Sequence, residues 1–188
     1  MDISSLKRYL FEGGSSEARD HNGISLLEHA IMVGSLPAVK LLLHHDADPN
    51  VETYFFGNSL HIAAERTSEP HILSHLLLKG ADPNAQDDDG QTPLSLAIFY
   101  ERPYSMISLL LPLTDLSLTD TMNQTPLHWV AQGTDIRIAL ELVKRGLSVE
   151  ARDSHNKTPL DIAEDNPHNP LMSLTLRQAA LEQTLART

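Results

Sequence analysis

The residues of this chain best able to do chemistry are its ten histidines, and their spacing offers little to build a reaction on. His71 and His75 stand four apart, so on a helix they share one face, as two imidazoles holding a zinc ion would. A third ligand does not stand nearby, and the glutamate of a His-Glu-x-x-His site is missing. His44 and His45 close an apolar run, where a partly charged pair would face the carbonyl end of a helix. Asp87-Asp88-Asp89-Gly90 looks like the middle of a calcium loop. The loop would have to start at Ala85 and end on Leu96, and neither supplies a carboxylate. Asn123-Gln124-Thr125 and Asn156-Lys157-Thr158 match the glycosylation sequon, which has meaning only in a secreted chain. The sequence contains no phosphate loop, nucleophile elbow or Gly-x-Gly-x-x-Gly. These residues predict no enzyme, no catalytic residue, no metal and no cofactor.

Composition narrows the classes further. A formal net charge of −11 and a pI near 5.2 argue against a phosphate-binding surface, which needs a basic stripe, so no nucleic-acid partner is expected. The absence of cysteine removes disulfides and thiolate metal sites and suits a reducing compartment. The first residues lack the charged-then-apolar pattern of a signal peptide, and no apolar run reaches membrane-spanning length. The expectation is a soluble cytoplasmic protein with no membrane partner.

What positions these residues is a recurring block. One leucine returns at Leu27, Leu60, Leu94, Leu127 and Leu160, at intervals of 33, 34, 33 and 33 residues. Around it the chain reads Thr92-Pro93-Leu94, Thr125-Pro126-Leu127-His128 and Thr158-Pro159-Leu160, with eroded forms at Ser25-Leu26-Leu27 and Asn58-Ser59-Leu60-His61. A second register keeps the same phase: Asp46-Ala47-Asp48-Pro49-Asn50, Gly80-Ala81-Asp82-Pro83-Asn84 and Gly146-Leu147-Ser148-Val149-Glu150. A period of about 33 with Thr-Pro-Leu-His resembles the ankyrin repeat, and the resemblance covers roughly residues 3–166. It implies an all-α solenoid in which each unit is a finger loop, a helix, a tight turn and a second helix. The register implies one ankyrin-repeat domain over 1–188: a half-repeat cap at 3–19, full repeats at 20–52, 53–86, 87–119 and 120–152, and a partial repeat with a capping helix at 153–188.

Local physics supports that reading. Thr92, Thr125 and Thr158 suit an N-cap, and the prolines after them suit the first helical position. Gly23 and Gly90 fit a positive-φ turn, and Asn123 and Asn156, the next most tolerant residue type, replace that glycine. The leucines of 39–43, 73–78 and 140–143 recur at helical spacing and should fill the seams between units. Leu6, Leu10 and Phe11 mark the capping half-repeat, and Glu17-Ala18-Arg19-Asp20, repeated letter for letter at Glu150-Ala151-Arg152-Asp153, starts the first finger. Two units depart from the pattern: Phe56 stands where glycine is expected, with one extra residue near Pro70, and Leu113 replaces the glycine after a second helix. At the end, Leu171, Leu174, Leu181 and Leu185 mark one face of a helix expected to cover the last seam.

The family resemblance assigns His61 and His128 to hydrogen bonds between neighbouring units. It also places finger tips and first-helix ends on a concave, partner-binding surface. In this chain those positions include Met32, Val33, Tyr54, Phe55, Glu65, Arg66, Asp88, Asp89, Phe99, Tyr100 and Met122. Exposed aromatics and methionines have the composition of an interface hot spot, whereas Phe56 is expected to fold back into its own finger. Glu52, Glu65, Asp88 and Asp89 make an acidic rim that would steer a basic partner. The expectation is a non-enzymatic adaptor, monomeric when free, that binds a protein with a basic and apolar surface. The alternative is a secreted effector of an intracellular bacterium, acting by the same face in the host cytoplasm.

Overall fold

The first helix of each pair begins as its sequence predicts. In the computed structural model, which describes residues 2–51, 57–167 and 169–186, the helices are α1 Ile3–Phe11, α2 Leu26–Met32, α3 Leu36–His44, α4 Ser59–Arg66, α5 Pro70–Leu78, α6 Pro93–Phe99, α7 Tyr104–Leu110, α8 Pro126–Gln132, α9 Ile136–Lys144, α10 Pro159–Glu164 and α11 Pro170–Leu185. Ser25 Oγ accepts from Glu28 N at 3.2 Å, Thr92 Oγ1 from Ser95 N at 3.3 Å and Thr158 Oγ1 from Asp161 N at 3.1 Å. Each bond satisfies one of the amide groups a helix start leaves open. Pro93, Pro126 and Pro159 take the first helical position, where their missing N–H costs nothing.

Three of the fingers, those before α2, α8 and α10, are each folded by an aspartate. Asp20, Asp120 and Asp153 each use Oδ1 to accept two backbone N–H groups, from the residues two and four positions later, at 2.7–3.0 Å. The repeated Glu-Ala-Arg-Asp tetrapeptide repeats its contacts too: Arg19 reaches Gly23 O at 2.6 Å and Arg152 reaches Asn156 O at 2.8 Å. Gly23 and Gly90 have φ of 82° and 74°, and Asn123 and Asn156 have φ of 61° and 62°, so the asparagines do adopt the left-handed turn. The Phe56 expectation lies outside the described residues. Next to it, Gly57 carries φ of 65°.

These pairs form an all-α ankyrin-type solenoid, with no β-strand among the described residues. The chain divides into two compact units, residues 1–88 with 92–114 and residues 89–91 with 115–188. In the first unit α2, α4 and α6 pack in one row and α3, α5 and α7 in a second, with α1 against α3. Its core is the recurring leucine and its helical neighbours: Leu27, Leu60 and Leu94 with Ile31, Leu42, Ile72, Leu73, Leu76, Met106 and Ile107, all buried. In the second unit α8 packs on α9 and α10, and α11 on α9 and α10, around Leu127, Leu142, Met172 and Leu176. There Leu160 is only half-buried.

Two expectations change, and the Leu113 departure takes a definite form. Leu6 and Leu10 are buried as cap residues, but Phe11 projects, 92% exposed. With Leu113 in place of glycine, α7 stops at Leu110 and Leu113 is itself exposed. In α11 the covering face is Met172, Leu176 and Ala179, assisted by Gln183, whose side chain bonds Leu147 O at 2.8 Å and Val149 N at 3.3 Å. The four leucines read as the covering face point the other way.

Candidate protein-binding surface

The repeat places equivalent residues at the C-terminal ends of α2, α4 and α6. Because α2 packs on α4 and α4 on α6, these ends lie side by side in the first unit. With neighbouring helices about 10 Å apart the row extends about 20 Å. Met32 is half-buried and Val33 exposed. Beside them Glu65 is half-buried, Arg66 is exposed, and the two pair at 3.0 Å. Phe99 and Tyr100 complete the row, 49% and 40% exposed, with ring centres 5.1 Å apart in an edge-to-face arrangement. Partial burial, followed by the negative charge of Glu65, pushes the Tyr100 phenol above its usual range. The ring therefore stays neutral in any ordinary medium.

One residue missing from the sequence reading organises this end. Arg102 donates from Nε to Ala64 O at 2.9 Å, from Nη2 to Glu65 O at 2.5 Å and from Nη1 to Ser68 Oγ at 3.3 Å. It thereby satisfies carbonyls at the end of α4, where a cation is also favoured by the helix dipole. Its guanidinium lies 5.5 Å from the centre of the Tyr100 ring, within cation–π range. Comparable contacts close the end of α8: Asn169 donates to Gly133 O, and Asn166 donates to Gln132 O at 3.3 Å.

The other sequence-predicted residues fall elsewhere. Tyr54, Phe55 and Glu52 lie outside the described residues. Asp88 is exposed in the first unit. Asp89 and Met122 are exposed in the second, where fingers are laced together: Thr121 N donates to Asp89 O and Ser154 N to Met122 O, both at 2.8 Å. Gly90 permits this closeness, because a Cβ there would stand 2.9 Å from Thr121 N and 3.0 Å from Asp120 Cα. A hollow of about 430 Å³ in the first unit lies apart from the row, between α1 and α3, and is lined by Lys7, Arg8, Phe11, Leu41 and His45.

Among the described residues, His61 and His128 are used in packing. His128 is buried; its Nδ1 accepts from Thr125 N at 3.1 Å, so Nε2 carries the proton and donates to Lys157 O of the following finger at 3.2 Å. This is the bridge between units that the family resemblance implies. His61 is also buried, with Nδ1 accepting from Asn58 N at 3.0 Å. His75 Nδ1 bonds His71 O at 2.8 Å, and His71 Nδ1 stands 3.3 Å from a Glu69 oxygen. Among the described residues no three His, Asp or Glu side chains are grouped to hold a metal. No described helix is long and apolar enough to cross a membrane.

The register agrees with known proteins. Residues 60–153 match the family profile described as ankyrin repeats in three copies, and residues 22–51 match a further ankyrin repeat. Mouse palmitoyltransferase ZDHHC13 is 36% identical over 156 residues, which is 82% of this chain and 25% of that protein. Its human counterpart is 31% identical over 159 residues, again 82% and 25%. Human neurogenic locus notch homolog protein 1 is 26% identical over 82% of this chain and 6% of its own length. The chain thus spans a quarter or less of these relatives. Repeats of this kind act in general as protein-interaction modules and are generally non-catalytic. With these profiles matching residues 22–51 and 60–153, this chain belongs to the ankyrin-repeat family.

Proposed function

We propose that the chain is a non-enzymatic adaptor whose first unit docks a partner protein on the row formed by the ends of α2, α4 and α6. The observation that carries this reading is the exposed pair Phe99 and Tyr100, held edge to face beside Arg102. Positions so exposed contribute little to the core, and aromatics held in place lose little entropy on binding. Val33 and Met32 extend the apolar area, while Glu65 and Asp88 favour a partner that brings lysine or arginine. By register Asp89 and Met122, in the second unit, and Tyr54 and Phe55 are finger positions proposed to contact a partner in their own right.

The test is affinity purification of a partner followed by titration against wild type and the Phe99→Ala/Tyr100→Ala variant. Loss of two anchors should weaken binding at least about tenfold, with the melting midpoint shifted by only a few degrees. Equal affinity for both proteins would reject this surface.

A further inference from the structure

Helix α11 is apolar on two opposite faces, and its own chain covers one of them. Met172, Leu176 and Ala179 are buried, whereas Leu171, Leu174, Leu181 and Leu185 are 61%, 62%, 64% and 73% exposed. A helix apolar around its circumference belongs in an interior. The exposed stripe has a definite period. Residues 171, 174, 178, 181 and 185 alternate steps of three and four, which is the a/d seam of a coiled coil over two heptads. Leucine takes both d positions, 174 and 181, and exposed Gln178 takes the central a position. The buried residues and Gln183 fall on b and f, turned away from that seam.

We propose that this stripe pairs with the same stripe of a second copy, as a short parallel coiled coil joining two molecules. The flanking charges select both the occupant and the orientation. Arg177 stands at g and Glu182 at the e position five residues later. In a parallel pair, g of one helix faces the following e of the other, so Arg177 meets Glu182 of the second copy, twice by symmetry. An antiparallel pair flanks its seam with g–g and e–e contacts instead, so Arg177 would lose Glu182 as its partner. Gln178 meets its counterpart across the axis, and one polar a residue of this kind specifies register. Within a single chain Arg177 pairs with Glu164, and Glu182 accepts from Gln178 Nε2 at 3.1 Å. All of these groups are exposed, so association exchanges surface contacts. The helix is already held by its own unit, so pairing bears no cost of helix nucleation. Two heptads bury less than the roughly 1,600 Å² of a standard interface, which places the dimer among weak, concentration-dependent ones.

Sedimentation equilibrium over about 10 μM to 1 mM tests this on the full chain. The average mass should rise from 20.8 kDa toward twice that value. Leu174→Glu/Leu181→Glu should stay monomeric with an unchanged melting midpoint, since both side chains are exposed. Arg177→Glu should weaken association several-fold, and adding Glu182→Arg should restore it. Because the chain has no cysteine, Leu171→Cys provides a single thiol, which a parallel pair brings next to its counterpart and cross-links on oxidation. An antiparallel pair would put the two thiols at opposite ends of the seam, too far apart to bridge. A mass that stays at 20.8 kDa throughout overturns the proposal and leaves the stripe to a helix of another protein. A dimer that survives Leu174→Glu/Leu181→Glu overturns the interface, and one that fails to cross-link overturns the orientation.

Discussion

Arg102 reaches back across a repeat to close the end of α4, its Nη2 donating to the Glu65 carbonyl at 2.5 Å. The bond joins residues 37 positions apart. It links the stability of one unit to the placement of Tyr100 in the next, since the same guanidinium lies 5.5 Å from that ring.

Replacing Arg102 by alanine leaves the Ala64 and Glu65 carbonyls without this donor. The expected loss is about 2–3 kcal/mol, because hydrogen bonds to a charged group each contribute about 1.5–3 kcal/mol and the two carbonyls regain water in part. Lysine should recover only a fraction, since an ammonium lacks the fork that serves two carbonyls at once. Urea unfolding of the three proteins checks this; coincident midpoints would mean the clamp adds nothing.

Gly57 and Gly23 separate backbone strain from collision. Both have positive φ, 65° and 82°, but a Cβ on Gly57 would stand 2.7 Å from His61 Nδ1, while one on Gly23 meets nothing within 4 Å. Gly23→Ala should cost about 1–2 kcal/mol from strain alone. Gly57→Ala should cost about 1–2 kcal/mol more, because the buried His61 must give up the bond it makes to Asn58 N. Equal costs in urea would show that the imidazole yields freely.

Glu101 adopts φ of 48° in the α6–α7 turn, where the corresponding residue of the α2–α3 turn is Gly34 with φ of 66°. A left-handed residue bearing a Cβ is strained by about 1–2 kcal/mol, partly offset by the greater freedom glycine has when unfolded. Glu101→Gly should therefore raise the melting midpoint slightly. A lower midpoint would show that the Glu101 side chain makes contacts worth more than the strain.

Burial lowers the His128 pKa below 6.5, against the opposing pull of the Lys157 carbonyl. The folded state thus holds this imidazole neutral, and the unfolded chain takes up a proton more readily. Its contribution to stability is complete above the unfolded value and is lost as pH falls through 6.5 toward the folded value. Protonating Nδ1 would also set two donors, His128 and Thr125 N–H, against each other. The melting midpoint should drop between about pH 7.5 and 5.5, and His128→Gln should flatten that slope. Burial raises Asp120 above 3.8, an effect of opposite sign that appears at lower pH, as that carboxylate protonates. A slope unchanged in His128→Gln would assign the acid sensitivity to other groups.

Much of the fold was legible in the chain because its determinants are local. Thr92 and Thr158 cap the helices they precede, and Asn123 and Asn156 take the left-handed turns their spacing assigns. Four of the five recurring leucines are buried because each unit repeats the same seam. Phe99 and Tyr100 were legible as exposed because the register places them where the core has no demand.

What escaped depends on neighbours distant along the chain. Arg102 looks like any surface arginine until α4 is set beside it, 37 and 38 residues away. In α11 a leucine count favours the face that is exposed, and only packing against α9 and α10 decides that Met172, Leu176 and Ala179 turn inward. Periodicity specifies that a helix has apolar faces; which of them meets its own chain, and which is left for another, is decided where the helices come together.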